Sequence, residues 1–277
     1  MASVGVNVFV MISGYFGIKL NARSIGRYCF KVYYFAVIAI ALVWLMGETP
    51  LGSDHVLRLL FPISHNVWFV PCYFILMLLA PMLNSFIEKT NLKKMVVYTA
   101  MIYSISYLWG NVFHILDGFG GYSWGFFIVL YMSGAIIAKW NKEHTISKLK
   151  VLTGYFICTI IIVWIAILQI RYAYGRSLLW SNDSPLVMAS AVCLFLFFSN
   201  LNIRHNNIIN IIAGSTLAIL LFHMSPCSGY FELHEQIFNT LSGIEVIGCS
   251  AVVIIVYFVA AVLLDQPRKW ISGLLFR

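Results

Sequence analysis

The chain alternates long apolar runs with short polar connectors. Apolar stretches cover residues 4–18, 28–46, 67–86, 95–109, 122–138, 151–170, 185–198, 208–224 and 244–264. Within them apolar residues follow one another without the every-second-position alternation of a barrel strand, so helices are expected. A helix needs about 20 apolar residues to cross a hydrocarbon core about 30 Å thick. The runs at 4–18, 95–109 and 185–198 are short for a full span and call for tilt or kinking. The pattern predicts an all-α, polytopic integral membrane helix bundle with about nine transmembrane helices. No internal repeat or long linker divides it, so residues 1–277 read as one transmembrane domain.

Composition narrows the solvent. Of the 277 residues 61% are hydrophobic and 10% charged, and the mean hydropathy is +0.88. A soluble domain carries roughly a quarter of its residues charged, so lipid has to cover much of this surface. The six cysteines are scattered, with no CxxC spacing; they read as packing residues, and no metal is expected. The first apolar run has no basic residue before it and ends in Gly-Ile-Lys, so a cleavable signal peptide is not expected.

The net charge of +8 would suggest nucleic acid in a soluble protein, but its distribution points elsewhere. With the amino terminus outside, 15 of the 18 Lys and Arg residues fall in inner connectors, all but Arg58, Arg171 and Arg176. The outer connectors carry Asp54, Asp117, Glu232 and Glu235. This asymmetry predicts a multi-pass protein of the cytoplasmic membrane, with a cytoplasmic carboxyl terminus, lipid contacts and no nucleic-acid partner.

Three stretches together resemble the membrane-bound acyltransferase-3 family, in its branch of bacterial surface-polysaccharide O-acetyltransferases. Residues 5–16 (GVNVFVMISGYF) are similar to the family's segment ending in Ile-Ser-Gly-Tyr. Phe61-Pro-Ile, Trp68-Phe-Val-Pro-Cys-Tyr73 and Ala80-Pro-Met-Leu-Asn84 resemble its Trp-Phe-x-x-x-Tyr helix closing on Pro-x-Leu-Asn. Residues 214–223 (GSTLAILLFH) resemble its late Ser-Thr-Leu-x-Ile-Tyr-Leu-x-His segment, with Leu220 where the family usually has Tyr. The resemblance also implies a preceding helix with an arginine and a histidine about ten residues apart, that histidine being the principal base. The sequence starts after where that helix would end, so the expectation is an amino-terminally truncated chain, with a degenerate, inactive member as the alternative.

What the resemblance implies chemically is transfer of an acyl group, most often acetyl, from acyl-coenzyme A to a hydroxyl of a cell-envelope polysaccharide or its lipid-linked precursor. Acyl-CoA would be a co-substrate rather than a tightly bound cofactor. A hydroxyl is a poor nucleophile, so a base must take its proton as it attacks the thioester carbonyl. The donor's phosphates call for Arg or Lys on the inner side.

Arg23, Arg27 and Lys31 stand four apart and share a helix face at the entry of the second segment. They are the candidate donor site; the plainer role is anchoring to anionic lipid. The family's pair is often spaced Arg-x-x-Arg, a spacing absent here. His223, an ionisable residue within an apolar segment, is the candidate for acceptor binding or positioning, against an ordinary interhelical or interfacial histidine. Ser13 and Tyr15 are candidates for a polar cavity lining, against close packing around Gly14. Trp68 and Tyr73 are candidates for stacking on sugar, against an interfacial aromatic belt like that expected of Tyr122 and Trp124. His65, His114, His205 and His234 read as solvated, and Pro71 and Pro81 as kinks.

Two other classes compete. A transporter or flippase should show inverted repeats, paired broken helices or intramembrane charge. Here Lys31 and Glu245 near segment ends are the nearest approach to such charge. A non-catalytic membrane partner is the other alternative.

Overall fold

The computed structural model describes residues 2–45, 67–113, 121–144, 146–172, 181–202, 204–225 and 230–276. Among them every regular element is helical. The helices are α1 (Ala2–Phe16), α2 (Ala22–Leu45), α3 (Phe69–Lys89), α4 (Leu92–Tyr107), α5 (Trp124–Trp140), α6 (Lys148–Tyr172) and α7 (Pro185–Ser199). There follow α8 (Asn207–Gly214), α9 (Thr216–His223), α10 (Tyr230–Thr240) and α11 (Ile244–Leu275). A π-helical turn, Leu108–Val112, continues α4. Asp54, Arg58, Phe61, His65, His114, Asp117, Arg176 and Cys227 lie outside the described residues.

Four helices are long and apolar enough to cross a bilayer: Ala22–Leu42 within α2, Phe69–Lys89, Lys148–Gln169 within α6, and Ile244–Leu275. Val4–Phe16, Trp124–Trp140 and Pro185–Ser199 are apolar but shorter, so by length the described residues hold four full spans. Trp164, Ile160, Ile247 and Leu263 are each more than 60% exposed. Apolar surface on this scale is covered by lipid or a partner, not water, and a membrane helix bundle results.

Contacts divide the chain into two compact units, Met1–Leu20 with Cys72–Ile203, and Asn21–Pro71 with Arg204–Arg277. In the first, α5 is apolar around its circumference and buried for most of its length, with α1 and α4 packed on it and α7 on α1 and α6. The crossing of α1 and α5 is close because glycines face each other's backbone. A Cβ on Gly14 would lie 1.9 Å from the Tyr131 carbonyl oxygen, and one on Gly134 2.0 Å from that of Met11. Close approach of this kind is how helices associate where lipid removes the hydrophobic drive.

Gly17, at φ +75°, then ends α1 in the left-handed region. The chain beyond is tied down by three bonds. The Ile18 N–H donates to the Tyr131 hydroxyl (2.9 Å), which donates to Asn84 Oδ1 (2.6 Å), while Asn84 Nδ2 donates to the Ile18 carbonyl (2.9 Å). Before α7, buried Asp183 receives Ser181 Oγ (2.7 Å) and Asn111 Nδ2, the latter supplied by the π turn. Tyr103 donates to the Asp183 carbonyl and Asn7 to that of Asn182, both at 2.8 Å.

In the second unit α2 starts at Ala22, six residues before its apolar run, because Asn21 and Ser24 cap it reciprocally. Asn21 Oδ1 accepts from the Ser24 N–H (2.7 Å) and Ser24 Oγ from the Asn21 N–H (3.0 Å). α9 packs on α2 and α11, and α10 on α11. The short α10 was not expected from the apolar pattern.

Three expectations are corrected. Pro71 sits in the first turn of α3, where no helical N–H bond is lost, so only Pro81 is interior. The run at 208–224 is two helices, broken at Ser215. The run at 244–264 continues as helix to Leu275 and carries Asp265, Arg268 and Lys269 with it.

Candidate functional site

The break and the extension meet inside the second unit. In α11, Asp265 is wholly buried and Arg268 nearly so, and Arg268 Nε donates to Asp265 Oδ1 at 2.5 Å. Lys269 Nζ lies 3.5 Å from Asp265 Oδ2. The spacings of three and four residues stack these side chains along one helix face, which lets the helix carry the charges onward past Pro267. Tyr34 of α2 donates to the Leu264 carbonyl (3.1 Å), fastening the two helices just ahead of the proline.

Lys269 also reaches α8. Its ammonium donates to the Ile211 carbonyl (3.0 Å) and to Ser215 Oγ (2.8 Å). Ser215 Oγ itself donates to the Ile211 carbonyl (3.0 Å), and the Ser215 N–H bonds Ile212 instead of continuing the α-helical ladder. The end of α8 therefore exposes a carbonyl that a lysine 58 residues later satisfies, a favourable place for a cation. Gly214 leaves the room: a Cβ there would stand 3.3 Å from Lys269 Nζ.

Arg27 and Lys31 of α2 join Arg268 and Lys269 around a cavity of about 350 Å³, together with Tyr28, Leu217, Ser272 and Gly273. Arg27 donates to the Phe276 carbonyl at 3.0 Å, which orients its guanidinium across the end of α11. Lys31, one turn further along α2, lies within electrostatic reach of Asp265, Arg268 and Lys269. Four cationic side chains thus line one cavity, three of them (Lys31, Arg268 and Lys269) interacting with buried Asp265, an arrangement suited to binding an anion. Of the three residues expected at a donor site, Arg27 and Lys31 line the cavity; Arg23 is exposed and not among its lining residues.

Asp265, Arg268 and Lys269 lie past the apolar run that ends at 264, and hydropathy alone counts the two cations among the inner polar segments. The signal was present in the spacing Asp-x-x-Arg-Lys, one carboxylate with two cations on one face. Asp265 and Arg268, both buried, are thus a nearer approach to intramembrane charge than Lys31 and Glu245.

His223 ends α9. Its Nδ1 faces the Ile219 carbonyl at 2.7 Å and must donate to it, which makes Nε2 the basic nitrogen of the ring. Around it stand Tyr230 (ring centroids 5.5 Å apart), and beyond Tyr230 the rings of His234 (4.6 Å) and Tyr257 (4.9 Å). His234 is thus partly enclosed rather than simply solvated, whereas His205 is exposed and meets Asn210 at 2.8 Å.

The acceptor-side candidates are dispersed. Ser13 Oγ and the Tyr73 hydroxyl bond each other at 2.9 Å in the first unit, with Phe9 against the Tyr73 ring. Tyr15 instead meets Phe195 edge-on. Trp68 belongs to the second unit, edge-on to Phe69. Tyr122 and Trp124 are 62% and 43% exposed, as lipid-facing aromatics are. Among the described residues no group of three His, Cys, Asp or Glu side chains could hold a metal ion.

Neither a curated protein nor a solved structure matches the chain. A family model described as an acyltransferase domain, that of the acyltransferase-3 family, matches residues 1–263, through both units and nearly to the Asp265 cluster. A match over that length, on an all-helical chain with apolar spans, places the protein in the acyltransferase-3 family of membrane acyltransferases.

Proposed function

We propose that the protein moves an acyl group, most often acetyl, from acyl-CoA to a hydroxyl of a cell-envelope polysaccharide or its lipid-linked precursor, at the cytoplasmic membrane with the carboxyl terminus inside. The observation that carries this reading is a basic cavity on a chain of an acyltransferase family. Arg27 and Lys31, expected at the donor site, line one cavity with Arg268 and Lys269. Phosphates are the part of the donor that such a cavity would hold. In the reaction the acceptor oxygen attacks the thioester carbonyl. A C–O ester bond forms, the C–S bond breaks, and the hydroxyl proton passes by way of a base to the departing thiolate.

His223, with Nε2 basic, is proposed to position the acceptor hydroxyl rather than to act as principal base. Tyr230 beside it, and Tyr257 next to Tyr230, are proposed as aromatic surface for a sugar. The Ser13–Tyr73 pair and Tyr15 are proposed as polar lining in the first unit, and Trp68, in the second, as an aromatic for stacking on sugar. The nine-segment topology, four full-length spans with tilted or broken shorter ones, is proposed with them.

The test is transfer in proteoliposomes from acetyl-, propionyl- and longer acyl-CoA to envelope glycan, read as acceptor-dependent thiol release and acyl ester on the glycan. The chain is expressed with and without the in-frame sequence upstream of the Met1 codon. Absence of transfer in both forms with every donor would reject the proposal. A transport reading gains one observation, the discontinuous α8–α9 pair beside buried charge, a feature of transporter binding sites. Acceptor flux across the liposome membrane without acyl transfer would favour it.

A further inference from the structure

The same ammonium serves two places. Lys269 lines the basic cavity and also closes the break between α8 and α9. We propose that this cavity binds a phosphate ester and that Lys269, by exchanging its backbone partner for the phosphate, couples occupancy of the cavity to the helix that carries His223. For the identity of the phosphate ester this rests on the acyl-CoA reading; for the coupling it rests on Lys269 alone.

An ammonium has three donor hydrogens. On Lys269 two go to the Ile211 carbonyl and Ser215 Oγ, and the third direction faces Asp265 Oδ2 at 3.5 Å. That carboxylate oxygen is buried and attracts Lys269 through its charge. Carbonyl and hydroxyl are neutral acceptors. A phosphate dianion entering beside Arg27, Lys31 and Arg268 offers charge-assisted bonds about twice as strong, for which Lys269 can exchange its carbonyl and hydroxyl partners. Arg268 is fixed instead by its 2.5 Å bond to Asp265.

When Lys269 turns to the anion, the Ile211 carbonyl loses a donor at the end of α8, where helical partners are already lacking. The joint at Gly214–Ser215 is then held by the Ser215 hydroxyl and the Ser215 N–H to Ile212. α9 begins at the next residue and ends at His223, whose ring is bonded to the α9 backbone at Ile219, so a rotation of α9 moves the imidazole with it. The volume of about 350 Å³ suits the phosphate end of a larger ligand better than the whole of one.

The experiment is hydrogen–deuterium exchange of the full chain in nanodiscs, following the amides of residues 212–219. In zwitterionic lipid, saturating coenzyme A is expected to raise exchange of these amides by about threefold or more, with pyrophosphate acting likewise at higher concentration. Lys269→Gln is expected to show the raised rate without ligand and no further response, and Lys269→Arg to keep the response. Phosphatidylglycerol producing the response in place of coenzyme A would assign the cavity to a lipid headgroup phosphate, leaving the coupling intact. Should Lys269→Gln fail to fold, Ser215→Ala gives a second reading. It removes a competitor for Lys269 and is expected to tighten coenzyme A binding by about threefold.

No response to coenzyme A, pyrophosphate or phosphatidylglycerol overturns the proposal. So does Ser215→Ala with unchanged or weakened binding. Acyl transfer observed alongside silent amides would sink the coupling and leave the enzymatic reading standing. Coenzyme A moving the amides in a protein that transfers nothing would do the reverse.

Discussion

Replacing Gly134 by alanine tests the close crossing of α1 and α5. The added Cβ would lie 2.0 Å from the Met11 carbonyl oxygen, 2.8 Å from its carbon and 2.9 Å from the Tyr15 nitrogen, whereas ordinary contact begins near 3.4 Å. These are backbone atoms, with no flexible side chain to swing aside. α1 and α5 must therefore separate by roughly 1.4 Å at this point, the difference between the two distances. A radial gap of 0.5–1 Å already forfeits a quarter to a half of a dispersion well, and overpacking in general costs about 1–3 kcal/mol, occasionally more. Since the crossing has little give, about 3 kcal/mol is expected.

Gly14→Ala drives a Cβ to 1.9 Å from the Tyr131 carbonyl on the same crossing and should cost a similar amount. Because one separation relieves both clashes, the double variant is expected to lose distinctly less than the two single losses combined. Steric trapping in bicelles measures these unfolding free energies directly. Either single variant within about 0.5 kcal/mol of the parent, or strictly additive losses, would refute the close crossing.

Asp265→Asn leaves Arg268 buried without its counter-charge, and loss of a buried partner costs about 3–5 kcal/mol; unfolding in bicelles should show a loss at the lower end, as Lys269 remains partly wetted. Asn84→Leu removes both the acceptor of the Tyr131 hydroxyl and the donor to the Ile18 carbonyl, for an expected loss of about 1–3 kcal/mol by the same measurement. On coenzyme A binding by calorimetry, Arg27→Ala and Lys31→Ala should each weaken affinity about tenfold, equivalent to about 1.4 kcal/mol. Arg23→Ala, off the cavity, should stay within about twofold.

Helix identity and approximate position were legible wherever the apolar run was the whole cause of the element. Each run from 4–18 to 185–198 has its helix, with ends shifted by caps such as the Asn21–Ser24 pair. The Ile-Ser-Gly-Tyr and Pro-x-Leu-Asn stretches also pointed at real joints. Gly14 turns out to be the close crossing with α5, and Asn84 holds the end of α1 against Tyr131. What hydropathy could not supply is a helix boundary set by charge. Counting oil along the chain ends the last span at Leu264, where Asp265 stands. A carboxylate followed at three and four residues by Arg268 and Lys269 instead satisfies itself on one helix face and continues the helix.

The break at Ser215 was hidden for a related reason. Residues 208–224 are apolar enough to read as one segment, and its interruption is completed by an ammonium from another helix. The two misreadings are therefore one. The lysine counted among the inner cations is the residue that closes the interrupted helix, and with Arg27 and Lys31 it lines the cavity. Cations that a positive-inside count treats as interchangeable anchors differ in what else they hold, and here Lys269 holds the Ile211 carbonyl, Ser215 Oγ and Asp265. In a chain with so few charges, the informative ones are those spaced to pair with each other, because only a paired charge can be drawn into the bundle.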